Sequence, residues 1–201
     1  MPKVSPEYMQ ARRDQIARAA IAEFSERGIH STSMANIIAA SDLSAGAIYT
    51  HFDGKDDIIA YVSRAAVRGV LSGFEQALAS RPLPDAGGIL RFITKGIGQA
   101  EVSPGFIVQV WGEAATNPDV RATTNEVYAE ALGFLRDYAT RWLTESRGIT
   151  PQAAAAEAPA HARVLLSAIY AHILQSALIS DHDGEALALD FGRVLGGPTP
   201  E

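Results

Sequence analysis

No cysteine occurs in the 201 residues, which excludes disulfides, thiolate nucleophiles and cysteine-based metal sites and suits a reducing compartment. Charge is sparse as well: Asp, Glu, Lys and Arg make up 20% of the chain, and the formal net charge is -6. Proteins that coat nucleic acid regardless of sequence carry a strong basic excess, so this balance counts against that class. No window reaches the roughly 18 uncharged apolar residues that a membrane-spanning helix needs, and the first fifteen residues hold no apolar secretion segment. The expectation is a cytoplasmic protein, neither exported nor embedded. Catalytic signatures are missing too: there is no Gly-x-Ser-x-Gly, no phosphate loop and no paired Glu-x-x-His, and Gly96-Ile97-Gly98 lacks the preceding strand of a dinucleotide site. Asp181-His182-Asp183 has metal-binding side chains but reads as a solvated polar helix end. An enzyme, a metal and a cofactor are therefore not expected.

What is present favours helix. Hydrophobic residues make up 47% of the chain, many windows are rich in alanine and poor in β-branched residues, and no strand-like alternation or internal repeat is visible. Helical spacing of Ile16, Ala19, Ala20 and Phe24 predicts a first helix over 5–27, closed by Gly28. Ile58, Ile59, Tyr61, Val62, Ala65, Ala66, Val70, Leu71, Phe74 and Leu78 predict a long fourth helix reaching about Ser80. Breaks at 81–88, 103–105 and 117–118 separate helices over 89–101, 106–116 and 119–146. The alanine-rich stretch 150–158 is expected as an extra turn or a connection, with Pro159 starting a helix over 161–180. A last helix over 185–195 precedes a Gly/Pro tail at 196–200.

The stretch 32–55 stands apart. Met34, Ile37 and Ile38 share one helical face, a turn follows at Ser41 to Leu43, and Ala47, Ile48 and Phe52 supply a second short apolar face. Two short helices with one small core leave the outward side of the second free to enter a DNA major groove, in helix-turn-helix fashion. Up to Ala60 the chain has six basic residues (Lys3, Arg12, Arg13, Arg18, Arg27, Lys55) against eight acidic ones (Glu7, Asp14, Glu23, Glu26, Asp42, Asp53, Asp56, Asp57). DNA binding must therefore rest on the placement of groups and not on net charge.

These residues resemble the TetR family of bacterial transcriptional regulators. Ala20, Phe24 and Gly28 are similar to its helix-one signature, Thr32-Ser33-Met34 with Ile37 to its helix-two start, and residues 43–52 with Lys55 to its recognition segment. Asp42 stands where the family usually has glycine, and Ile38 where it has a small residue. The resemblance implies an all-α homodimer of about nine helices. Its parts would be a three-helix DNA-binding domain over 1–54 and a larger effector-binding and dimerisation domain over 55–201.

Each DNA-facing residue has a chemical reason. Thr32 and Ser33 at the start of helix two, and Ser44 at the start of helix three, offer hydroxyls and free backbone N–H groups to phosphate, while also suiting helix caps. Gly46 permits close approach to the sugar-phosphate backbone. Tyr49 and His51 can donate to phosphates, and Lys55 is expected as the best single phosphate contact. Ala45, Ala47 and Thr50 provide only methyl or hydroxyl groups for base edges, so DNA shape carries part of the specificity.

The remaining helices carry Phe92, Phe106, Ile107, Trp111, Tyr128, Phe134, Tyr138 and Trp142 among few charges. Most must be core. As a group, Phe92, Phe106, Trp111, Tyr128, Phe134 and Tyr138 with the polar Gln109, Glu113 and Asn117 are expected to line a pocket for an apolar or aromatic effector. The helix between Val164 and Leu178 is apolar on more than one face, and with the segment between Leu187 and Val194 it is expected to pair two copies across a two-fold axis. The competing class is a helical ligand-binding or scaffolding protein without DNA binding. The acidic balance favours it, and the combination of Tyr49, His51 and Lys55 opposes it.

Overall fold

Ser5 starts the first helix: its hydroxyl accepts from the N–H of Tyr8 at 3.3 Å, and Pro6 sits in the first turn, where its missing N–H has no cost. Helix α1, Pro6–Arg27, buries Ile16, Ala17, Ala20 and Phe24 on one stripe and stops at Gly28, whose φ of 84° lies in the region that glycine tolerates. The computed structural model describes residues 5–79, 81–100 and 102–195, with the side chains of 69–77 and of 195 outside the description. Val70, Leu71 and Phe74, the expected helix ends at Ser80 and Glu101, and the tail 196–200 thus lie outside the described residues. Among the described residues there are nine helices and no strand.

By internal contact the chain divides into two compact units, Met1–Ala65 with Phe106–Thr124, and Ala66–Gly105 with Asn125–Glu201. The first unit contains α1, α2 (Met34–Ser41), α3 (Ala45–Tyr49) and the start of α4 (Lys55–Ala79). Most of α6 (Pro104–Thr116) and the first turns of α7 (Pro118–Glu145) belong to it as well. Ile16, Phe24, Ile37, Ile48, Phe52, Ile58 and Ile59 are its nearly inaccessible centre. The Phe106 ring stacks on Phe24 at 5.7 Å, so α6 completes this core.

The second unit is built on α5 (Ala86–Gln99), α8 (Pro151–Leu178) and α9 (Gly184–Leu195), with the later turns of α4 and α7. Helix α5 packs on both α8 and α9. Its crossing with α9 is close because two glycines meet: a Cβ on Gly87 would lie 2.8 Å from the Ala188 oxygen and 2.9 Å from the Gly192 Cα. Helix α8 begins ten residues before the expected start at 161 and carries Pro159 inside it. Thr150 caps it, Pro151 occupies the first turn, and the alanine run that follows has high helix propensity, which outweighs the one backbone hydrogen bond that Pro159 removes. Ala154, Ala158 and Ala162, four residues apart, are fully buried. The alanine-rich stretch, expected as an extra turn or a connection, is therefore a packed helix face.

The Asp181-His182-Asp183 segment joins α8 to α9. Asp181 and Asp183 are exposed, and an Asp183 carboxylate oxygen accepts from the N–H groups of Glu185 and Ala186, capping α9. Among the described residues no group of three or more His, Asp or Glu side chains is placed to hold a metal ion, and no helix is long and apolar enough to cross a membrane.

Candidate nucleic-acid interface

Two serine caps set up the candidate surface. Ser33 accepts from the Asn36 N–H while the Asn36 side chain accepts from the Ser33 N–H, a reciprocal capping box that starts α2. Asp42 closes α2 with φ 57°, a left-handed conformation that aspartate tolerates. Ile38, the larger residue in place of a small one, is only half-buried and so needs no extra room in the core. Ser44 then accepts from the Ala47 N–H at 3.2 Å and starts α3. Ile48 faces inward with no exposure and Phe52 with 1%.

The outward side of α3 is made of small residues and one aromatic. Ala45 and Gly46 are exposed, Ala47 is half-buried, and Tyr49 is 52% exposed. Among the described residues a Cβ added to Gly46 would meet nothing within 4 Å, so no packing among them asks for glycine there. Thr50 is exposed, but its hydroxyl donates to the Gly46 carbonyl at 2.8 Å. His51 is half-buried in the turn after α3, and its Nδ1 is buried with no hydrogen-bond partner among the described residues.

Two expected phosphate contacts are placed differently. Thr32 is 2% exposed, and its hydroxyl donates to the carbonyls of Gly28 at 2.8 Å and Glu23 at 3.2 Å, so it secures the end of α1 and does not face outward. Lys55 is half-buried. Its Nζ donates to the carbonyls of Ile29 at 2.9 Å and Thr32 at 3.2 Å, tying the start of α4 to the loop before α2. Two of the ammonium's three donors are thereby engaged inside the protein.

Several residues that hold the surface in place escaped the sequence reading. The Arg13 guanidinium lies over the rings of Phe52 at 4.8 Å and Tyr61 at 5.1 Å, joining α1 to the segment after α3 and to α4. Tyr61 donates to Asp14, and burial together with that carboxylate raises its phenol above the ordinary range. Gln15 donates from its amide to the Ser41 carbonyl at 2.9 Å, fixing the end of α2 on α1. An arginine three residues before a buried isoleucine was the available signal, but its stacking partners lie far along the chain.

Residues 16–62 match the sequence profile of the bacterial regulatory proteins of the tetR family. A curated relative, the HTH-type transcriptional regulator HbdR of Aromatoleum sp. (strain CIB), is 36% identical over 73 residues, which cover 36% of this chain and 30% of that one. The likeness in sequence to that family thus rests on the N-terminal part of the chain. Likeness of fold extends much further along the chain. Salmonella enterica GusR superposes with a TM-score of 0.72 at 24% identity, covering 96% of this chain and 99% of that one. A transcriptional regulator from Rhodococcus sp. Rha1 superposes with a TM-score of 0.67 at 20% identity, covering 94% and 98%.

The residues expected to line an effector pocket belong some to one unit and some to the other. Phe106, Trp111 and Glu113 belong to the first unit, and Phe92, Tyr128, Phe134 and Tyr138 to the second. Phe106 is core, stacked on Phe24. Tyr138 is 1% exposed and donates to the Pro84 carbonyl at 2.7 Å, and burial, with a smaller effect from Asp85, drives its phenol far above the ordinary range. Phe92, Trp111, Glu113 and Phe134 are half-buried, and Tyr128 meets Tyr170 edge-on at 6.4 Å. Two of the three polar residues expected to orient an effector have other partners: Gln109 accepts from the Ile29 N–H, and Asn117 donates to Asp56 while its oxygen caps α7. Spacing along α6 does not show which face meets α1, and that face decides these roles.

Proposed function

We propose that the chain is a ligand-responsive transcriptional repressor that binds double-stranded operator DNA as a homodimer. The observation that carries this reading is the outward face of α3, where exposed Ala45, an unobstructed Gly46 and exposed Tyr49 share one short helix between capped starts. Such a face suits close approach to a groove. Ser33, Ser44, Tyr49, Thr50 and His51 supply phosphate contacts, with the third donor of Lys55 beside them, and Ala45, Ala47 and Thr50 meet base edges. The functional boundary falls at 54/55, at the start of α4. A DNA partner in a bacterial cell puts the protein in the cytoplasm.

Dimerisation uses α8 and α9. Val164, Leu174 and Leu178 on α8 and Leu189 and Val194 on α9 are all more than 40% exposed in the single chain, with Val194 at 77%. Apolar side chains exposed in such number on two neighbouring helices ask for a partner surface. A two-fold dimer places two recognition helices about 34–36 Å apart, on successive major grooves.

A small apolar or aromatic effector releases the DNA. Phe92, Tyr128 and Phe134 of the second unit, half-buried or exposed, are the aromatics assigned to meet it, and effector binding shifts α4, which carries Lys55 at its start. By linkage, the effector then binds the DNA-free form more tightly, by the factor with which it weakens DNA binding.

Fluorescence anisotropy with double-stranded fragments flanking the protein's own gene tests the reading, with salt-dependent binding of at least one fragment as the expected result. Absence of salt-sensitive binding to any of them overturns it and leaves a helical ligand-binding protein.

A further inference from the structure

The peptide at Ile29 is held from both sides by side chains of two other helices. Its N–H donates to Oε1 of Gln109 on α6 at 2.8 Å, and its carbonyl accepts from Nζ of Lys55 on α4 at 2.9 Å. Ile29 is 2% exposed, so water does not compete freely for either group. We propose that Gln109 is a positioning residue for DNA binding, acting through the Ile29 peptide on the start of α2. This inference rests on the DNA-binding reading above.

The geometry runs from α6 to the candidate surface in short steps. Phe106, one turn before Gln109, stacks on Phe24 near the end of α1 and so brings the Gln109 amide to the loop. Gly28, with φ 84°, turns the chain so that the next N–H faces that amide. Thr32 folds back onto the Gly28 carbonyl through both its N–H and its hydroxyl, and its own carbonyl accepts from Lys55. The next residue is Ser33, the cap of α2. Between Gln109 and Ser33 the backbone groups of Gly28, Ile29 and Thr32 are thus held by named partners.

A glutamine suits this task because it offers an acceptor without charge. Removing the acceptor leaves a buried N–H unpaired, and the loop must shift to find water. The loop shift moves Ser33, and with it the backbone N–H groups of the first turn of α2. No charged group that neutralises a phosphate is removed in the process. The loss is one of position, so affinity falls while the salt dependence stays the same.

The test joins two readouts on full-length Gln109→Met and Gln109→Glu variants. Amide hydrogen exchange at Ile29, followed by NMR, is expected to be slow in the wild type, at least tenfold faster in Q109M and slow again in Q109E, which keeps an acceptor oxygen. Affinity for the fragment flanking the protein's own gene is expected to fall about tenfold in Q109M with an unchanged slope of log K against log salt, and to recover in Q109E. Should Q109M fail to fold by circular dichroism, Gln109→Asn withdraws the acceptor by one methylene and takes its place. Equal Ile29 exchange in wild type and Q109M overturns the contact, and equal operator affinity in the two folded proteins overturns the positioning role. If the wild type binds no fragment, the DNA-binding reading and the positioning role fall together, while the exchange data still report whether the clamp exists.

Discussion

Nδ1 of His172 lies 2.9 Å from Nε2 of His182, and the His172 ring lies over Gly184 at the start of α9, where a Cβ would come within 2.7 Å of it. The pair closes the turn between α8 and α9. One nitrogen must donate and the other accept, so two protons too many break the bond. Burial first, and His182 second, lower the tendency of His172 to protonate. A histidine whose folded-state value is depressed contributes stability that is complete above its unfolded value of about 6.5 and lost as the pH falls through the folded value. The thermal midpoint should therefore stay level from about pH 8 to 7 and fall on acidification below about 6.5. His172→Asn should flatten that fall. Circular dichroism melts over this range check it, and an equally steep fall in the variant would remove His172 as the cause.

Lys55→Met removes two donations to backbone carbonyls, those of Ile29 and Thr32. Hydrogen bonds from a charged donor are worth about 1.5–3 kcal/mol each in favourable settings, and the half-exposed site places the combined loss near the lower figure. The expected outcome is a lower denaturant midpoint and weaker operator binding, with the salt slope changed by less than one. A slope reduced by a full unit at unaltered stability would instead make Lys55 a phosphate ligand first.

Gly87→Ala should destabilise the second unit. Its new Cβ would sit 2.8 Å from the Ala188 oxygen and 2.9 Å from the Gly192 Cα, both backbone atoms that cannot rotate away. Overpacking of this kind costs about 1–3 kcal/mol, partly offset by a helix-propensity gain of up to about 1 kcal/mol. For a chain of this size that corresponds to a midpoint lower by about 2–4 °C per kcal/mol. An unchanged melting curve would mean that α5 and α9 do not cross this closely in solution.

The residues behind these predictions differ in how visible they are from sequence. Ile37, Ile48 and Phe52 are buried as their spacing predicts, because a short amphipathic helix has only one face that can turn inward. Ser33 and Ser44 cap their helices, and Asp42 adopts the left-handed turn, because these are local demands of the backbone that the neighbouring residues announce. Lys55 and Gln109 could not be placed in the same way. Their partners lie 26 and 80 residues away, and only the packing of α4 and α6 brings them to one loop. The start of α8 was hidden for another reason: Pro159 looks like a boundary, and the helix passes through it because Ala154, Ala158 and Ala162 are buried on one face.

Gly46→Ala separates folding from recognition. Among the described residues nothing beyond its own helix lies within 4 Å of the added methyl group, and alanine is the better helix former by up to about 1 kcal/mol. The variant should therefore melt at the same temperature as the wild type or slightly higher. Operator binding should move the opposite way, because in the proposed complex the methyl group would occupy the space through which the α3 backbone approaches the DNA backbone. Anisotropy titrations and melts on the same preparation check both directions. Equal or tighter operator binding in Gly46→Ala would show that α3 meets DNA by another face, and Tyr49, exposed on the same short helix, would then lose its assigned place at the phosphates.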